Sequence, residues 1–305
     1  MSASCTTQTG QIPKRIPFNG TFELTVRCNL HCKMCLFRHD DSENSGILKQ
    51  ELTAEQWIDM AKQAAEAGTL NLLITGGEPM IRSDFCQIWE GIYKQGFIMD
   101  LYTNATLVTP EIMKNLRRYP PHRIGITLYG AGPETYQKVC GNAGAFQKAL
   151  AGCHSLLELP SSIKFRSTII KDNYCDLYAI QDLVSQEFGD FLVENSRVVN
   201  KPVKGACADV DSCRLSPEDN VKVIYSRGIQ KMKALVGAGY DSSRLKIQVL
   251  PANIPEKSTQ EQKISLLGCD AGINRYTISW NGKLMGCQML TCFLTDPLSE
   301  GFKKA

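Results

Sequence analysis

The sequence has no long apolar run, no strong charge bias and no signal-peptide pattern. No stretch approaches the length of a transmembrane helix. Residues 1–14 are polar and lack the apolar core of a secretory signal. The net charge of +3 over 305 residues gives no reason to expect a nucleic acid or a membrane surface as partner. Repeats of fixed period and low-complexity tracts are also missing.

Cysteine, by contrast, is abundant. The chain has 13 cysteines, an odd number, and they are spread along its whole length. A secreted disulfide framework is shorter and denser in cysteine. We therefore expect a reducing cytoplasm, in which thiols stay free or bind iron. The chain is long enough for one large α/β domain with a small appendage.

Strand and helix patterns alternate about six times over the first two thirds of the chain. The expected strands cover residues 21–27, 70–75, 97–102, 123–128, 163–170 and 191–194. The expected helices cover residues 53–67, 84–95, 110–118, 133–139, 145–157 and 174–188. Each helix must return the chain to the same edge of the sheet, which predicts parallel strands. Six such units predict an α/β fold, a partial (β/α)6 TIM-like barrel that is open.

The alternation breaks down after the sixth strand. Residues 196–217 look irregular, and one more helix is expected at 218–237. From Leu266 onward the composition changes to glycine, cysteine and short β runs. We therefore divide the chain into a lead-in (1–20), the partial barrel (21–237), a linker (238–260) and a small cysteine-containing β-hairpin extension (261–305).

Three cysteines stand close together directly after the first strand. Cys28, Cys32 and Cys35 have the spacing C-x3-C-x2-C. Three thiolates on one short loop can ligate three irons of a 4Fe–4S cluster and leave the fourth iron open for chemistry. A Cys3His zinc site that uses His31 or His39 is the alternative. A structural zinc, however, usually stabilises a much smaller domain.

A second motif follows the second strand. Gly76, Gly77 and Glu78 precede Pro79. Two glycines allow the backbone to approach a ligand closely, and a carboxylate suits an ammonium group. Alone, such a segment is also compatible with an ordinary turn between a strand and a helix.

These two motifs, in this order on consecutive strand–helix units, resemble those of the radical S-adenosylmethionine (SAM) enzymes. The resemblance implies a 4Fe–4S cluster on the three cysteines and S-adenosylmethionine chelated at the open iron. The backbone of Gly76 and Gly77, together with Glu78, would hold the amino group of the cofactor. One electron, from a donor such as flavodoxin or ferredoxin, would cleave the cofactor to a 5′-deoxyadenosyl radical. That radical would abstract a hydrogen atom from the substrate.

The resemblance adds four candidate contacts with the cofactor, at Met34, Asn104, Thr127 and Arg166, and two positions depart from the family pattern. Met34 stands where an aromatic residue usually packs near the adenine, and Asn104 belongs to the Thr-Asn pair that often ends the third strand. Thr127 corresponds to a serine that reaches the cofactor ribose. Cys140 stands where an arginine usually contacts the cofactor carboxylate, so Arg166 on the next strand is the candidate replacement. A salt bridge at the rim is the alternative role of Arg166. The sequence indicates no catalytic acid or base.

The tail resembles the opening of the SPASM domain, an extension of radical SAM enzymes that modify peptides and proteins. Cys269 and Cys287 flank Gly282 in the pattern C-x12-G-x4-C, and Gly282 lies in an Asn-Gly hairpin turn. The resemblance implies an auxiliary 4Fe–4S cluster on these cysteines, with Cys292 as a third ligand or as an unliganded thiol. Because the remaining SPASM cysteines do not follow before Ala305, we expect a reduced domain or a truncated chain.

The expected function is therefore that of a radical SAM oxidoreductase acting on a peptide or protein side chain. Maturation of a ribosomal peptide or of a sulfatase is typical of such enzymes. Two alternatives remain open at this point. One is a radical SAM enzyme acting on a small molecule, and the other is a metal- or cluster-binding protein without catalysis. The sequence specifies neither the substrate nor the bond that is formed.

Overall fold

The fold is that of a computed structural model, which describes residues 16–203, 206–224, 271–289 and 294–305. The linker expected at 238–260 and the candidate ligands Cys269 and Cys292 lie outside the described residues. The described residues up to Arg214, together with those from 271 onward, belong to one compact unit. Leu215 begins a second unit, of which residues 215–224 are described.

An eight-stranded sheet forms the centre of the first unit. Its strands are β1 (Asn19–Glu23), β2 (Asn71–Thr75), β3 (Ile98–Thr103), β4 (Arg123–Thr127), β5 (Ser162–Thr168), β6 (Val193–Ser196), β7 (Arg275–Ile278) and β8 (Leu284–Met285). Their order is β6-β5-β4-β3-β2-β1-β7-β8, and every neighbouring pair is parallel except β7 and β8. Within the described residues this sheet is open, which confirms the expected α/β fold with a partial barrel.

Helices lie between the strands and after the last one. Those with described bounds are α1 (Asn44–Gln50), α2 (Ala54–Glu66), α3 (Phe85–Tyr93), α4 (Pro110–Arg118), α5 (Pro133–Cys140), α6 (Ala145–Leu157), α7 (Leu177–Phe188), α8 (Val210–Cys213) and, after β8, α9 (Pro297–Glu300). Thr53 and Gln56 form both hydrogen bonds of a capping box at the start of α2. Helix α1 was not predicted, and it forms where Ile47 packs with Val26 and Trp280. None of the helices in the described ranges has the length and apolarity needed to span a membrane.

The two faces of the sheet differ in chemistry. Side chains at alternate positions, such as Phe22 and Phe165, are fully buried beneath the helices. The Phe22 ring lies 5.1 Å from that of Trp57 on α2, and the Phe165 ring lies 5.1 Å from that of Phe188 on α7. The opposite face carries polar and charged side chains on neighbouring strands, namely Asp100, Tyr102, Arg123, Lys164, Arg166 and Glu194. Parallel sheets are usually apolar on both faces, so a polar face indicates a surface kept for binding.

The C-terminal hairpin forms as expected and also extends the main sheet. Gly282 adopts a φ of +82° in the turn between β7 and β8. Strand β7 pairs in parallel with β1, with Asn19 opposite Arg275 and Phe22 opposite Ile278. The hairpin therefore lies beside the strand that leads into the cysteine loop, a neighbour that no local sequence pattern indicated.

Candidate active site

The candidate residues lie near one edge of the sheet. In parallel strands the carboxyl ends meet at the same edge, and open α/β sheets bind ligands there. The cysteine loop follows β1, the Gly-Gly-Glu turn follows β2, and Asn104 follows β3. Thr127 ends β4 and pairs with Arg166 on β5. The fold therefore brings the sequence-predicted residues of the first five strands to one edge.

The cysteine loop is anchored on the carboxyl end of α5. The backbone N–H of His31 donates to the carbonyl of Cys140 at 2.9 Å, and that of Lys33 donates to the carbonyl of Val139 at 3.0 Å. Cys32 is buried, and Cys28 and Cys35 are half-buried. The last carbonyls of a helix have no partner within the helix, so they are available to orient this loop.

The protein surroundings alone favour the protonated form of the three thiols. Burial and the charge of Glu78 raise the pKa of Cys28, and burial raises that of Cys35. A hydrogen bond with Cys140, together with burial, raises the pKa of Cys32. A positively charged metal group would offset this cost, because metal binding deprotonates thiols. All three are free thiols, which the chemistry of an iron–sulfur cluster requires.

Hydrogen-bond donors already point at two of these sulfurs. The backbone N–H of Phe37 donates to Cys35 Sγ at 3.3 Å, and Asn104 Nδ2 donates to Cys28 Sγ at 3.7 Å. Among the described residues, no three His, Cys, Asp or Glu side chains are placed to hold a single metal ion. Three free thiols on one short loop, two of them with N–H donors beside the sulfur, fit an iron–sulfur cluster.

The two glycines of the second motif bring one backbone against another. Gly77 N–H donates to the carbonyl of Thr25 at 2.7 Å, and Glu78 N–H donates to that of Arg27 at 3.0 Å. A Cβ on Gly76 would lie 2.2 Å from the Thr25 oxygen, and one on Gly77 would lie 2.2 Å from the Arg27 oxygen. The sequence suggested that these glycines make room for a ligand. The structure shows that they also make room for the segment that precedes Cys28.

Glu78 is fully buried and mostly satisfied by the protein itself. Its Oε1 accepts from Thr103 Oγ1 at 2.9 Å and from the N–H of Met80 at 3.2 Å, and its Oε2 accepts from the N–H of Asn104 at 2.7 Å. Burial raises its pKa to about 7. An ionised carboxylate has about four acceptor positions. Three are used here, so one is left for a cationic or N–H donor of a ligand.

The remaining candidates lie in two places. Met34 packs in an apolar cluster with Leu30, Tyr136 and Phe146, behind the cysteine loop. Thr127 and Arg166 line a cavity of about 490 Å³ at the ends of β4, β5 and β6, together with Ser167, Thr168, Glu194, Asn195, Ser196, Arg197 and Val198. Sequence reasoning identified two of these nine residues.

Arg166 is held over an aromatic ring. Its guanidinium carbon lies 4.5 Å from the centre of the Tyr102 ring. Its Nε lies 4.0 Å from Glu194 Oε2, a long contact between half-exposed and exposed side chains that contributes little stability. Tyr102 on β3 lies opposite Gly125 on β4, where a Cβ would lie 2.6 Å from the Tyr102 ring. Because Gly125 has no side chain, the Tyr102 ring can occupy this space.

A buried ionic network behind the cysteine loop was not predicted. The Glu51 carboxylate accepts two hydrogen bonds of 2.9 Å from Arg27 and one of 3.3 Å from Arg82, and the hydroxyl of Thr25 also donates to it. Arg82 donates further to the carbonyl of Leu24 at 3.0 Å. The network fixes the segment between β1 and Cys28. Arg27 and Glu51 lie 24 residues apart in the connection after β1, and Arg82 lies in the connection after β2, so no local pattern relates them.

Comparison with known proteins decides the family. Residues 22–184 match the sequence model of the radical SAM superfamily. The chain belongs to this superfamily. Membership implies a 4Fe–4S cluster and S-adenosylmethionine as cofactors.

Three curated relatives have different reactions in their names. An AdoMet-dependent heme synthase of Methanosarcina barkeri is 34% identical over 50% of this chain, and an Fe-coproporphyrin III synthase of the same organism is 27% identical over 86%. A PqqA peptide cyclase of Rhizobium meliloti is 30% identical over 42% of this chain. The chain covers 42%, 66% and 33% of the lengths of these relatives, respectively.

Solved structures confirm the fold. Streptococcus suis SuiB bound to its precursor peptide SuiA has a TM-score of 0.67 at 16% identity, with 94% of this chain and 64% of SuiB covered. A structure of anSMEcpe with bound AdoMet has a TM-score of 0.63 at 16% identity, with 94% of this chain and 77% of that chain covered. At this identity the likeness establishes the fold alone.

Proposed function

We propose that this radical SAM enzyme acts on a side chain of a peptide or protein and that Cys28, Cys32 and Cys35 hold its 4Fe–4S cluster. The observation that carries the proposal is the hydrogen-bonded contact between the segment preceding Cys28 and the Gly-Gly-Glu turn. Glu78 N–H and Gly77 N–H both donate to this segment. A ligand on the open iron would therefore lie directly beside the turn. When bound, the cluster and S-adenosylmethionine supply a 5′-deoxyadenosyl radical.

The residues of the chain then bind and orient the cofactor. The free acceptor position of Glu78 takes the amino group, and the guanidinium of Arg166 takes the carboxylate in place of the missing arginine at Cys140. The hydroxyl of Thr127 reaches the ribose. Met34 offers the adenine only a small surface, since the residue is 9% exposed. Together these contacts would hold the reactive carbon of the cofactor toward the polar face of the sheet.

A peptide substrate is supported by two similarities. PqqA peptide cyclase is a sequence relative, and SuiB with its bound precursor peptide shares the fold. The polar face of the sheet, with its cavity at β4 to β6, has room for a side chain. We also propose that residues 261–305 hold an auxiliary cluster through Cys269, Cys287 and Cys292, beyond a linker at 238–260. Of these ligands Cys287 is described, and it is half-buried.

A small-molecule substrate is the second candidate. The relative that matches 86% of this chain is named Fe-coproporphyrin III synthase. Beside Arg166, which the cofactor carboxylate would engage, the cavity carries a second cation, Arg197, that suits an acidic small molecule. For either substrate we propose a flavodoxin or ferredoxin as electron donor and a reducing cytoplasm as location.

The first experiment tests cofactor cleavage. The chain is reconstituted anaerobically with iron and sulfide, reduced with dithionite and assayed for 5′-deoxyadenosine. We expect product from the wild type, no product from Cys28→Ala, Cys32→Ala or Cys35→Ala, and full product from the control Cys86→Ala. Cys86 is a half-buried thiol on α3. A fully iron-loaded wild type that forms no 5′-deoxyadenosine would refute the proposal.

The second experiment separates the substrates. The active protein is incubated with precursor peptides encoded beside its gene and, separately, with iron-containing tetrapyrrole precursors. A mass change in a peptide that depends on S-adenosylmethionine supports the first candidate. Formation of Fe-coproporphyrin III, the product in the name of the relative, without any peptide change replaces it with the second.

A further inference from the structure

The turn after β3 is strained and tightly held. Ala105 has a φ of +60° and is the one non-glycine residue with positive φ among those described. Such a conformation is unfavourable for alanine and persists where the surroundings impose it. Here the N–H of Ala105 donates to Thr103 Oγ1 at 2.9 Å. A Cβ on Gly152 of α6 would lie 1.8 Å from the Ala105 oxygen, so this glycine lets the turn seat directly on the helix.

The strained turn holds the side chain of Asn104 in one orientation. Its Oδ1 accepts from the N–H of Thr106 at 2.9 Å and from the Thr106 hydroxyl at 2.6 Å. The same hydroxyl accepts from Asn29 Nδ2 at 2.7 Å, and Asn29 Oδ1 accepts from Asn104 Nδ2 at 3.0 Å. The three side chains form a closed ring of hydrogen bonds. Because Oδ1 is occupied by two donors, Nδ2 has to face the cysteine loop.

The second hydrogen of this amide group points at a proposed cluster ligand. Asn104 Nδ2 lies 3.7 Å from Cys28 Sγ, and the Asn104 side chain is buried, with the residue only 5% exposed. The backbone N–H of the same residue donates to Glu78 Oε2 at 2.7 Å. Asn104 thus contacts the cysteine loop through its side chain and the carboxylate of the Gly-Gly-Glu turn through its backbone. The sequence had suggested direct contact with the cofactor for this residue.

We propose that Asn104 is a positioning residue that donates an N–H···S hydrogen bond to the thiolate of Cys28 and thereby raises the reduction potential of the cluster. This inference rests on the cluster ligands named under the proposed function. Reduction adds one negative charge to a cluster, and donors to its cysteine sulfurs stabilise the more negative state. The closed ring of hydrogen bonds fixes the orientation of the Asn104 amide, so its N–H stays directed at the sulfur.

The variants Asn104→Ala and Asn104→Asp test the role of the donor. Alanine removes the donor, whereas aspartate keeps the shape and replaces the donor with an acceptor. Hydrogen bonds to charged groups are among the stronger ones in proteins, so we expect the equilibrium constant for one-electron reduction to fall about tenfold in Asn104→Ala. That factor corresponds to a midpoint potential about 59 mV more negative. We expect the midpoint potential of Asn104→Asp to become more negative by at least as much.

A matched control comes from helix α4. Asn115 is half-buried, and its Nδ2 donates to the carbonyl of Cys86 on α3 at 3.4 Å. Asn115→Ala removes the same kind of group, so we expect no change in potential. Asn29→Ala opens the ring but keeps the donor, so we expect a smaller shift than for Asn104→Ala.

The measurement is a potentiometric titration of the reconstituted full chain, followed by electron paramagnetic resonance without S-adenosylmethionine. A wild-type potential for Asn104→Ala at equal iron content overturns the inference. Loss of iron in both Asn104 variants, with an unchanged circular dichroism spectrum, also overturns it, since Asn104 would then serve assembly alone. A wild type that is reduced normally but forms no 5′-deoxyadenosine refutes the proposed function instead.

Discussion

Replacing Glu51 with glutamine should destabilise the protein strongly, although Glu51 is outside the cofactor site. Its side chain is 5% exposed, and it pairs with Arg27 at 2.9 Å and with Arg82 at 3.3 Å. Removal of one partner from a buried ion pair costs about 3–5 kcal/mol, because the other charge stays buried. Arg82 retains Asp84 at 2.7 Å, so we expect about 3 kcal/mol, the lower end of that range.

Urea unfolding of the iron-free protein, followed by circular dichroism, measures this effect. Glu158→Gln is the control, because the side chains of Glu158 and Arg117 are 60% and 55% exposed and such pairs contribute about 1 kcal/mol or less. Arg27 directly precedes Cys28, so Glu51→Gln should also lower the iron content after reconstitution. The reasoning fails if Glu51→Gln costs no more free energy of unfolding than Glu158→Gln.

Three further predictions concern the turns around the site. Gly77→Ala places a Cβ 2.2 Å from the oxygen of Arg27, so S-adenosylmethionine binding in equilibrium dialysis should weaken at least about tenfold. Gly152→Ala places a Cβ 1.8 Å from a backbone oxygen and should lower the free energy of unfolding, measured in urea, by about 1–3 kcal/mol. Gly46→Ala is the control, because a Cβ there meets open space and should not lower the free energy of unfolding. Burial raises the pKa of Glu78 to about 7, so below that pH its carboxylate becomes protonated and loses its attraction for the amino group of S-adenosylmethionine. Calorimetry should then show the affinity for S-adenosylmethionine falling by up to about tenfold per pH unit. Glu78→Gln should show a flat pH profile over the same range.

Local chemistry was sufficient to predict much of the fold. The capping box at Thr53 and Gln56 forms as the sequence indicated. The turn at Gly282 joins two short antiparallel strands. Helix α4 spans the residues that the apolar period suggested, from Pro110 to Arg118. In each case the signal lies within a few neighbouring residues, and the tertiary structure does not oppose it.

Contacts between distant segments could not be predicted. Strand β7 lies beside β1, which is more than 250 residues earlier in the chain. Glu51 meets Arg82 only because two connections after different strands come together. The side chain of Asn104 faces Cys28 because a ring of hydrogen bonds holds it there. A single sequence carries no periodicity for such pairs, so motif and spacing identified residue types but not their orientation.

The site therefore has two parts with different mechanical properties. Around the cysteine loop, backbone contacts backbone at Gly76, Gly77 and Gly152, where one methyl group would collide with a carbonyl oxygen. A geometry set by the main chain is rigid, as an oxygen-sensitive cluster and a reactive radical require. At the cavity the charges of Arg166 and Glu194 are held loosely, 4.0 Å apart on exposed side chains. Substitution there changes the binding surface at little cost to stability. Under the proposed function, substrate specificity can therefore change at the cavity residues other than Arg166, because the fold does not depend on them.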